Sequence, residues 1–509
     1  MVSSVNSVCL LGLSAHIVTV EADVSDGLPV FDMVGYLAGE VKEARERVKT
    51  ALKNNGITIP PKRITVNLSP GDIKKSGTSF DLAVALALMS ALGEIRPESL
   101  ENCMVFGELS LTGQIKPVPG VLPMVIEAST AGYKKCIVPF DNRAEGYAVD
   151  GMEIIAVKNL KEAGDYLNDL ISLDREENLS AGEDEGVCET VDFADVNGQE
   201  TVKRAMEIAS AGMHNILIIG PPGSGKTMLA KRLPGILPKL SRQESMEITK
   251  IYSVSGKLKS GQGLIKTRPF VNPHHTVTPQ ALAGGGSIPK PGECSLAHRG
   301  VLFLDELPEF TRSSLEILRQ PLEDKEVHVS RTSGDFVFPA DFLLCAAMNP
   351  CKCGYYPDMK KCTCTEGDVR QYLSKISGPL LDRIDICAEA SRIRYCDLNC
   401  EKKAESSSVI RSRVEKAAFI QTERYKGTNL RFNSDLSVSD LKKYCPLGKH
   451  EEEFIKNAYE SLSLSARVYH RIIKVARTIA DLEGSQDIKV SHLSEAVGFK
   501  SIDRRYWRG

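Results

Sequence analysis

The sequence lacks a strong excess of either charge, a long apolar run and any solenoid repeat, and each absence removes a class of function. With 64 Lys and Arg against 66 Asp and Glu, the formal net charge is -2. No global basic field exists, so any polyanion partner must be held by local patches. No positive charge precedes Lys42, so the charged start of a secretory signal is missing, and the chain is expected to stay in the cytoplasm. The longest apolar stretch, Leu82 to Leu92 (LAVALALMSAL), is about half the length of a bilayer span and follows Asp81. It predicts a buried helix, and no membrane association is expected.

What is present fits several globular domains. At 509 residues the chain exceeds one ordinary domain. From 1 to 167, short β-like runs (Arg63 to Leu68, Lys134 to Pro139) alternate with helical stretches such as Val41 to Gly56, which predicts an α/β domain. Residues 168–190 include DREENLSAGEDEG, acidic and poor in large apolar side chains, and are expected to form a linker. A second α/β unit is expected over 191–394, and 395–509 reads as a helical domain, with Ala466 to Leu482 its clearest amphipathic helix.

The most specific motif is GPPGSGKT: Gly220, Pro221, Pro222, Gly223, Ser224, Gly225, Lys226 and Thr227, placed between the apolar run NILIIG and the helical MLAKRL. Glycines let backbone amides curl around phosphate oxygens. Lys226 would reach the β- and γ-phosphates, and the Thr227 hydroxyl would ligate Mg²⁺. Downstream, GVLFLDELPEF has the pattern of a buried strand ending in two carboxylates. Asp305 would hold the Mg²⁺ shell, and Glu306 would polarise an attacking water. ATP and Mg²⁺ are the expected ligands.

Four cysteines, Cys351, Cys353, Cys362 and Cys364, form two C-x-C pairs across a polar loop (351–364). They are a full tetrahedral set for a structural Zn²⁺, against the alternative of reduced, metal-free thiols. His274 and His275 have no third spaced ligand and are expected to make hydrogen bonds or phosphate contacts rather than bind a metal. Lys290 lies near the turn of a glycine-rich segment, and Arg331 starts the turn of a hairpin in EVHVSRTSGDFVFPADFLL. Both are candidate DNA contacts, the alternative being two solvated loops. The closing DRRYWRG sets Arg504, Arg505 and Arg508 around Tyr506 and Trp507, a mixture that could grip nucleic acid or dock onto the helical domain.

These elements together resemble the AAA+ superfamily. The resemblance implies that Asn349, at the end of FLLCAAMNP, is a sensor of the γ-phosphate. It makes Arg383 in GPLLDRIDI an arginine finger that reaches a neighbouring subunit, and Arg467 the second sensor on a helical lid, with Arg471 the competing assignment. A finger acting in trans implies a ring. The order HHTVTPQALAGGG, PKPGE, LAHRGVLFLDELPEF, AAMNPCKCG, GPLLDRIDI and SIDRRYW is similar to the magnesium-chelatase-related ComM/YifB family, over essentially the whole chain. That resemblance implies a homohexameric motor acting on single-stranded or branched DNA with recombination partners. The implied activity is branch migration in homologous recombination and natural transformation. A chelatase-like or protein-remodelling ATPase is the alternative.

The N-terminal domain resembles the Lon-protease (S5-like) fold through KKSGTSFDLAVALALMSALGEI and GELSLTGQIKPVPGVLPMVIEASTAGYKKCIVP. Ser79 falls near the nucleophile position. The segment that should supply its lysine base, Pro119 to Ala128, contains none, so no Ser/Lys peptidase is expected and Ser79 reads as a residue at a helix start.

Overall fold

A computed structural model describes residues 2–173, 191–286, 289–331, 334–392 and 404–507. The expected linker lies outside the described residues from 174 to 190, as do Arg508 and the side chain of Arg504. The chain forms two compact units. The first comprises Met1–Asp184 with Arg242–Lys266 and Ser287–Pro291, and the second comprises Glu185–Ser241, Thr267–Gly286 and Gly292–Gly509.

In the first unit, strands β1 (Val2–Leu11) and β2 (Ser14–Ser25) form a long antiparallel hairpin that reverses at Gly12, whose φ is 63°. Strands β3 (Phe31–Val34), β4 (Arg63–Ser69) and β5 (Cys103–Val105) extend it, and a short hairpin of β6 (Glu108–Leu109) and β7 (Ile115–Lys116) follows. With β8 (Lys135–Pro139) and β9 (Glu153–Val157), the mixed sheet runs in the order β3-β4-β2-β1-β5-β8-β9. Helix α2 (Asp81–Ala91) is buried along its whole length against β1 and β2, as an all-round apolar helix must be. Helix α1 (Gly39–Asn54) is amphipathic and buries Val41, Ala44, Val48, Ala51 and Leu52. Among the described residues no helix is long and apolar enough to cross a membrane.

Helix α3 (Val121–Thr130) covers the segment without a lysine. Its first turn is closed by the buried Glu145, which accepts from the Leu122 amide at 3.2 Å and from Asn142 Nδ2 at 2.7 Å. Burial raises the Glu145 pKa, while hydrogen bonds from Ser253, Asn142 and Leu122 pull it the other way. Ser253 belongs to helix Arg242–Val254, and its carbonyl also accepts the Gly120 amide at 3.0 Å. Residues 242–266 thus pack into this unit, although they follow the phosphate-loop helix in sequence. Ser79 is buried two residues ahead of α2, with its carbonyl accepting the Gly107 amide at 3.0 Å.

The second unit is built on a five-stranded parallel sheet. Its strands are β10 (Ile216–Ile219), β11 (Phe270–Val271), β14 (Val301–Leu304), β17 (Leu343–Met348) and β18 (Ile386–Glu389), ordered β11-β14-β17-β10-β18. The central runs ILII, VLFL and LLCAAM are wholly buried, which is the signature of strands covered on both faces. Two-residue strands β12 (Gly284–Gly285) and β13 (Lys290–Pro291) lie between β11 and β14 in the chain. The expected hairpin forms from β15 (Glu326–Arg331) and β16 (Gly334–Pro339), with Arg331 paired to Gly334.

From residue 404 the described chain is helical, with long helices Ser407–Arg424, Lys449–Ser461, Ala466–Leu482 and Val490–Trp507. Tyr506 donates to Glu389 at 2.6 Å, and Trp507 Nε1 donates to the Leu373 carbonyl at 3.0 Å. The terminal aromatic pair therefore docks within its own unit. A polar knot holds the helices together: Asp481, with its side chain fully buried, accepts from Arg424 Nη1 and Asn433 Nδ2 at 2.9 Å each and from Arg477 Nε at 3.1 Å. Removing the carboxylate would leave the buried Arg477 and the part-buried Arg424 guanidiniums without their counter-charge. Asp481→Ala is expected to cost about 3–5 kcal/mol, measured by urea unfolding followed by circular dichroism. A loss below about 1 kcal/mol would show that the knot behaves as a solvated pair.

Candidate functional site

In a parallel sheet the carboxyl ends of all strands open on one edge, and here that edge gathers the motif residues. Strand β10 leads into the phosphate loop, β14 ends at Asp305 and Glu306, and β17 ends at Asn349. β17 is hydrogen-bonded to both β10 and β14, so three segments separated by about 80 and 40 residues meet side by side.

The loop conformation follows from its glycines. Gly223 and Gly225 have φ of 73° and 83°, a left-handed conformation that a side chain disfavours, and Gly220 lies so close to Ala390 that a Cβ would meet its carbonyl oxygen at 2.6 Å. Helix Lys226–Arg232 starts directly from this turn. Lys226 Nζ donates to the carbonyls of Gly220 and Pro221 at 2.8 and 2.9 Å and to Asn349 Oδ1 at 3.1 Å. Burial lowers its pKa, opposed by the charges of Asp305 and Glu306. Thr227 Oγ1 donates to Asp305 Oδ2 at 2.6 Å, and Asp305 Oδ1 accepts the Glu306 amide at 3.0 Å.

These residues fit a nucleoside triphosphate and a hard divalent cation. Among the described residues the Ser224 hydroxyl, buried inside the loop, has no hydrogen-bond partner, as expected of a group shaped for an anionic ligand. Thr227 and Asp305 offer adjacent oxygens of the kind Mg²⁺ takes. Glu306 is exposed and adopts φ of 53°, a left-handed conformation for a non-glycine residue.

One contributor, Gln199, carries no signal in the sequence, and a second, His275, gains a neighbour that the sequence does not show. Gln199, itself at φ 59° and buried, donates to the Ser224 carbonyl at 3.1 Å and accepts from the Ser391 amide at 3.1 Å, tying the phosphate loop to the end of β18. Its partners lie 25 and 192 residues away, so no local pattern marks it. His275 Nδ1 lies 3.8 Å from Glu306 Oε2, with its ring 4.1 Å from that of His274. The HH pair was visible in sequence, but its carboxylate neighbour depends on β11 and β14 being adjacent.

The predicted arginines sit apart from this group in their contacts. Arg383 is largely buried, paired with Glu323, and donates to the carbonyls of Arg319 at 3.2 Å and Pro379 at 2.8 Å. Arg467 is exposed, with Asp382 3.9 Å away. Arg471 is bound to the buried Asp385; burial alone would raise that carboxyl's pKa, but Arg471, His214 and Lys474 hold it well below the usual carboxylate range. Lys290 and Arg331 are both exposed, and the Arg331 guanidinium lies over Gly285, where a Cβ would come within 2.9 Å of Nη2. The four cysteines converge: their sulfurs all lie within 4.8 Å of one another.

Residues 192–398 match the family described as magnesium chelatase, subunit ChlI; residues 20–142 match subunit ChlI of Mg-chelatase; and residues 404–500 match the magnesium chelatase subunit ChlI C-terminal family. The chain is 42% identical over 495 residues to a protein named YifB from Salmonella typhimurium, covering 97% of this chain and 96% of that protein. It is 41% identical over 498 residues to the competence protein ComM of Haemophilus influenzae, again covering 97% and 96%. A shorter likeness, 37% over 128 residues, relates 25% of the chain to 22% of Lon protease 2 from Bacillus subtilis. With a phosphate loop, an acidic strand end and a third strand ending at Asn349 on one edge of a parallel sheet, and relatives 42% and 41% identical over 97% of its length, the chain belongs to the magnesium-chelatase-like ComM/YifB family of AAA+ ATPases.

Proposed function

We propose that this chain is an ATP-hydrolysing ring motor, a homohexamer, that moves single or branched DNA strands and drives branch migration in recombination and natural transformation. The observation that carries the ATPase half is the continuous set of contacts from Lys226 through Asn349 and from Thr227 to Asp305 and Glu306. The DNA half is supported by the near-complete likeness to a protein named for competence.

In this reading each residue has a distinct task. Lys226 exchanges its carbonyl partners for phosphate oxygens, and Asn349, freed from Lys226, orients the γ-phosphate and the attacking water. Thr227 and Asp305 would hold Mg²⁺, which when bound would supply positive charge against that developing on the phosphates. Glu306 takes the proton of the attacking water, and the nearby His275 fixes the direction of its carboxylate. Arg383 serves the neighbouring subunit's site, for which it must leave Glu323. Arg467, rather than Arg471, is the lid sensor, because Arg471 is already committed to a buried carboxylate.

Lys290 and Arg331 contact DNA phosphates, the feature that a sequence-indifferent motor must grip. The first 167 residues form a Lon-like (S5-like) domain followed by a linker to 190, an ATPase core to 394 and a helical lid to 509. Likeness to Lon protease 2 over 25% of the chain is in keeping with a Lon-like domain. The domain acts as a scaffold or binding module, because helix α3 supplies no lysine base. The site of action is the cytoplasm.

Lys226→Ala is expected to weaken ATP binding at least about tenfold, while Glu306→Gln keeps binding and loses turnover by about 100-fold or more; normal hydrolysis by the Gln variant would remove Glu306 from its role. Arg383→Ala should be inactive alone yet recover partial turnover when mixed into oligomers with Lys226→Ala, and verified mixing without recovery would exclude a shared site. ATPase assays with no DNA, single strands, duplex and a four-way junction test the motor itself. Wild-type protein should be stimulated and should branch-migrate the junction only with hydrolysable ATP. Replacing Lys290 and Arg331 with Ala should weaken binding to all sequences alike and lower the salt slope by about 2, leaving DNA-free turnover intact. ATPase activity indifferent to every DNA form, with no strand movement, would favour a chelatase-like or protein-remodelling role.

A further inference from the structure

The cysteine loop does more than bring four thiols together. Cys351 Sγ lies 3.3 Å from Cys353 Sγ and 3.8 Å from Cys362 Sγ, and Cys353 and Cys362 are 3.5 Å apart. These spacings exceed a disulfide bond of about 2.05 Å and approach the edge of about 3.8 Å expected for a tetrahedron of sulfurs each about 2.3 Å from one Zn²⁺. All four sulfurs lie within 4.8 Å of one another, close enough to share one ion, whereas an iron–sulfur cluster distributes its thiolates over several irons.

The loop is also pressed against the phosphate loop. Gly354 is buried at φ 84°, and a Cβ there would lie 2.4 Å from Pro222 Cδ and 2.8 Å from Pro222 Cγ, so only a glycine permits the contact. Its amide donates to the Cys351 carbonyl at 3.0 Å, inside the thiol cluster, and the Tyr356 amide lies 3.4 Å from Cys351 Sγ. Two residues before Cys351, Asn349 accepts from Lys226. The cysteine loop therefore touches the nucleotide site twice, through Pro222 and through the chain leading to Lys226.

We propose that Cys351, Cys353, Cys362 and Cys364 bind one zinc ion as a tetrathiolate, and that this metal knot braces the phosphate loop so that metal occupancy and nucleotide affinity are thermodynamically coupled. The metal fixes the short turn from Cys351 to Gly354, which in turn holds Pro222 and the carbonyls around Lys226. Coupling of this kind is reciprocal: if zinc tightens nucleotide binding by some factor, nucleotide tightens zinc binding by the same factor. The coupling rests on the nucleotide-binding reading of the site, while the metal site does not.

The test uses the full-length protein purified without chelators. Elemental analysis should give about one zinc per chain, and Co²⁺ exchanged into the site should show the thiolate charge-transfer and intense visible bands of a tetrahedral sulfur site. Metal-stripped, reduced protein should bind a non-hydrolysable ATP analogue about tenfold more weakly, with zinc restoring the affinity and the analogue slowing zinc loss to a competing chelator. Gly354→Ala should keep its zinc but lose nucleotide affinity, and Cys351→Ser with Cys362→Ser should lose both. If the cysteine variants fail to fold, the stripped wild-type protein decides. Absence of zinc as purified, together with no cobalt thiolate spectrum, overturns the site. A zinc-bound protein whose nucleotide affinity is unmoved by stripping and by Gly354→Ala overturns the brace. An intact protein that binds zinc but no nucleotide refutes the ATPase reading and the coupling while leaving the metal site standing.

Discussion

The second unit depends on one constraint: five strands run parallel, so that every carboxyl end faces the same way. β10 carries the phosphate loop and is hydrogen-bonded to β17 and β18, while β17 pairs in turn with β14. A reversal of any of these strands would send Asp305, Asn349 or Lys226 to the opposite edge. The sheet can be parallel only because it is buried on both faces, which requires the unbroken apolar runs ILII, VLFL and LLCAAM and leaves polar chemistry to begin at the first residue beyond each strand.

Polar groups within the unit are positioned by the same economy. Several of the buried ones tie distant segments together. Gln199 joins the phosphate loop to the end of β18, Asp385 joins that strand to the helical region through Arg471, and Asp481 closes the helices on one another. Each is a place where an unpaired group would cost more than its bond returns, so each enforces a single arrangement. The cysteine loop meets the phosphate loop in the same close way, since a Cβ at Gly354 would lie 2.4 Å from Pro222 Cδ.

In the first unit the main device is different. A helix buried on every face, α2, packs against the long β1–β2 hairpin, and the buried carboxylate of Glu145 closes α3 while receiving Ser253 from helix Arg242–Val254. That helix lies in sequence between the phosphate loop and β11, yet its buried face belongs here. The unit is thus assembled from three stretches of chain, which gives a physical reason for its compactness to depend on residues well beyond 167.

By itself the sequence determined whatever local spacing can encode: the phosphate loop between an apolar run and a helix, the buried α2, the β15–β16 hairpin, the amphipathic helix Ala466–Leu482 and the four cysteines within reach of one another. Each is written within about twenty neighbouring residues, where periodicity and turn chemistry act directly. Only the tertiary structure decided the rest. Arg467 and Arg471 are one helical turn apart and equivalent in pattern, and it is the buried Asp385, 86 residues from Arg471, that distinguishes them. Gln199, the approach of His275 to Glu306, the docking of Tyr506 and Trp507, and the inclusion of residues 242–266 in the first unit all depend on partners brought close by strand order and helix packing. Contacts of that kind leave no mark in a residue's own neighbourhood, because the chain must first fold before either partner has the other to respond to.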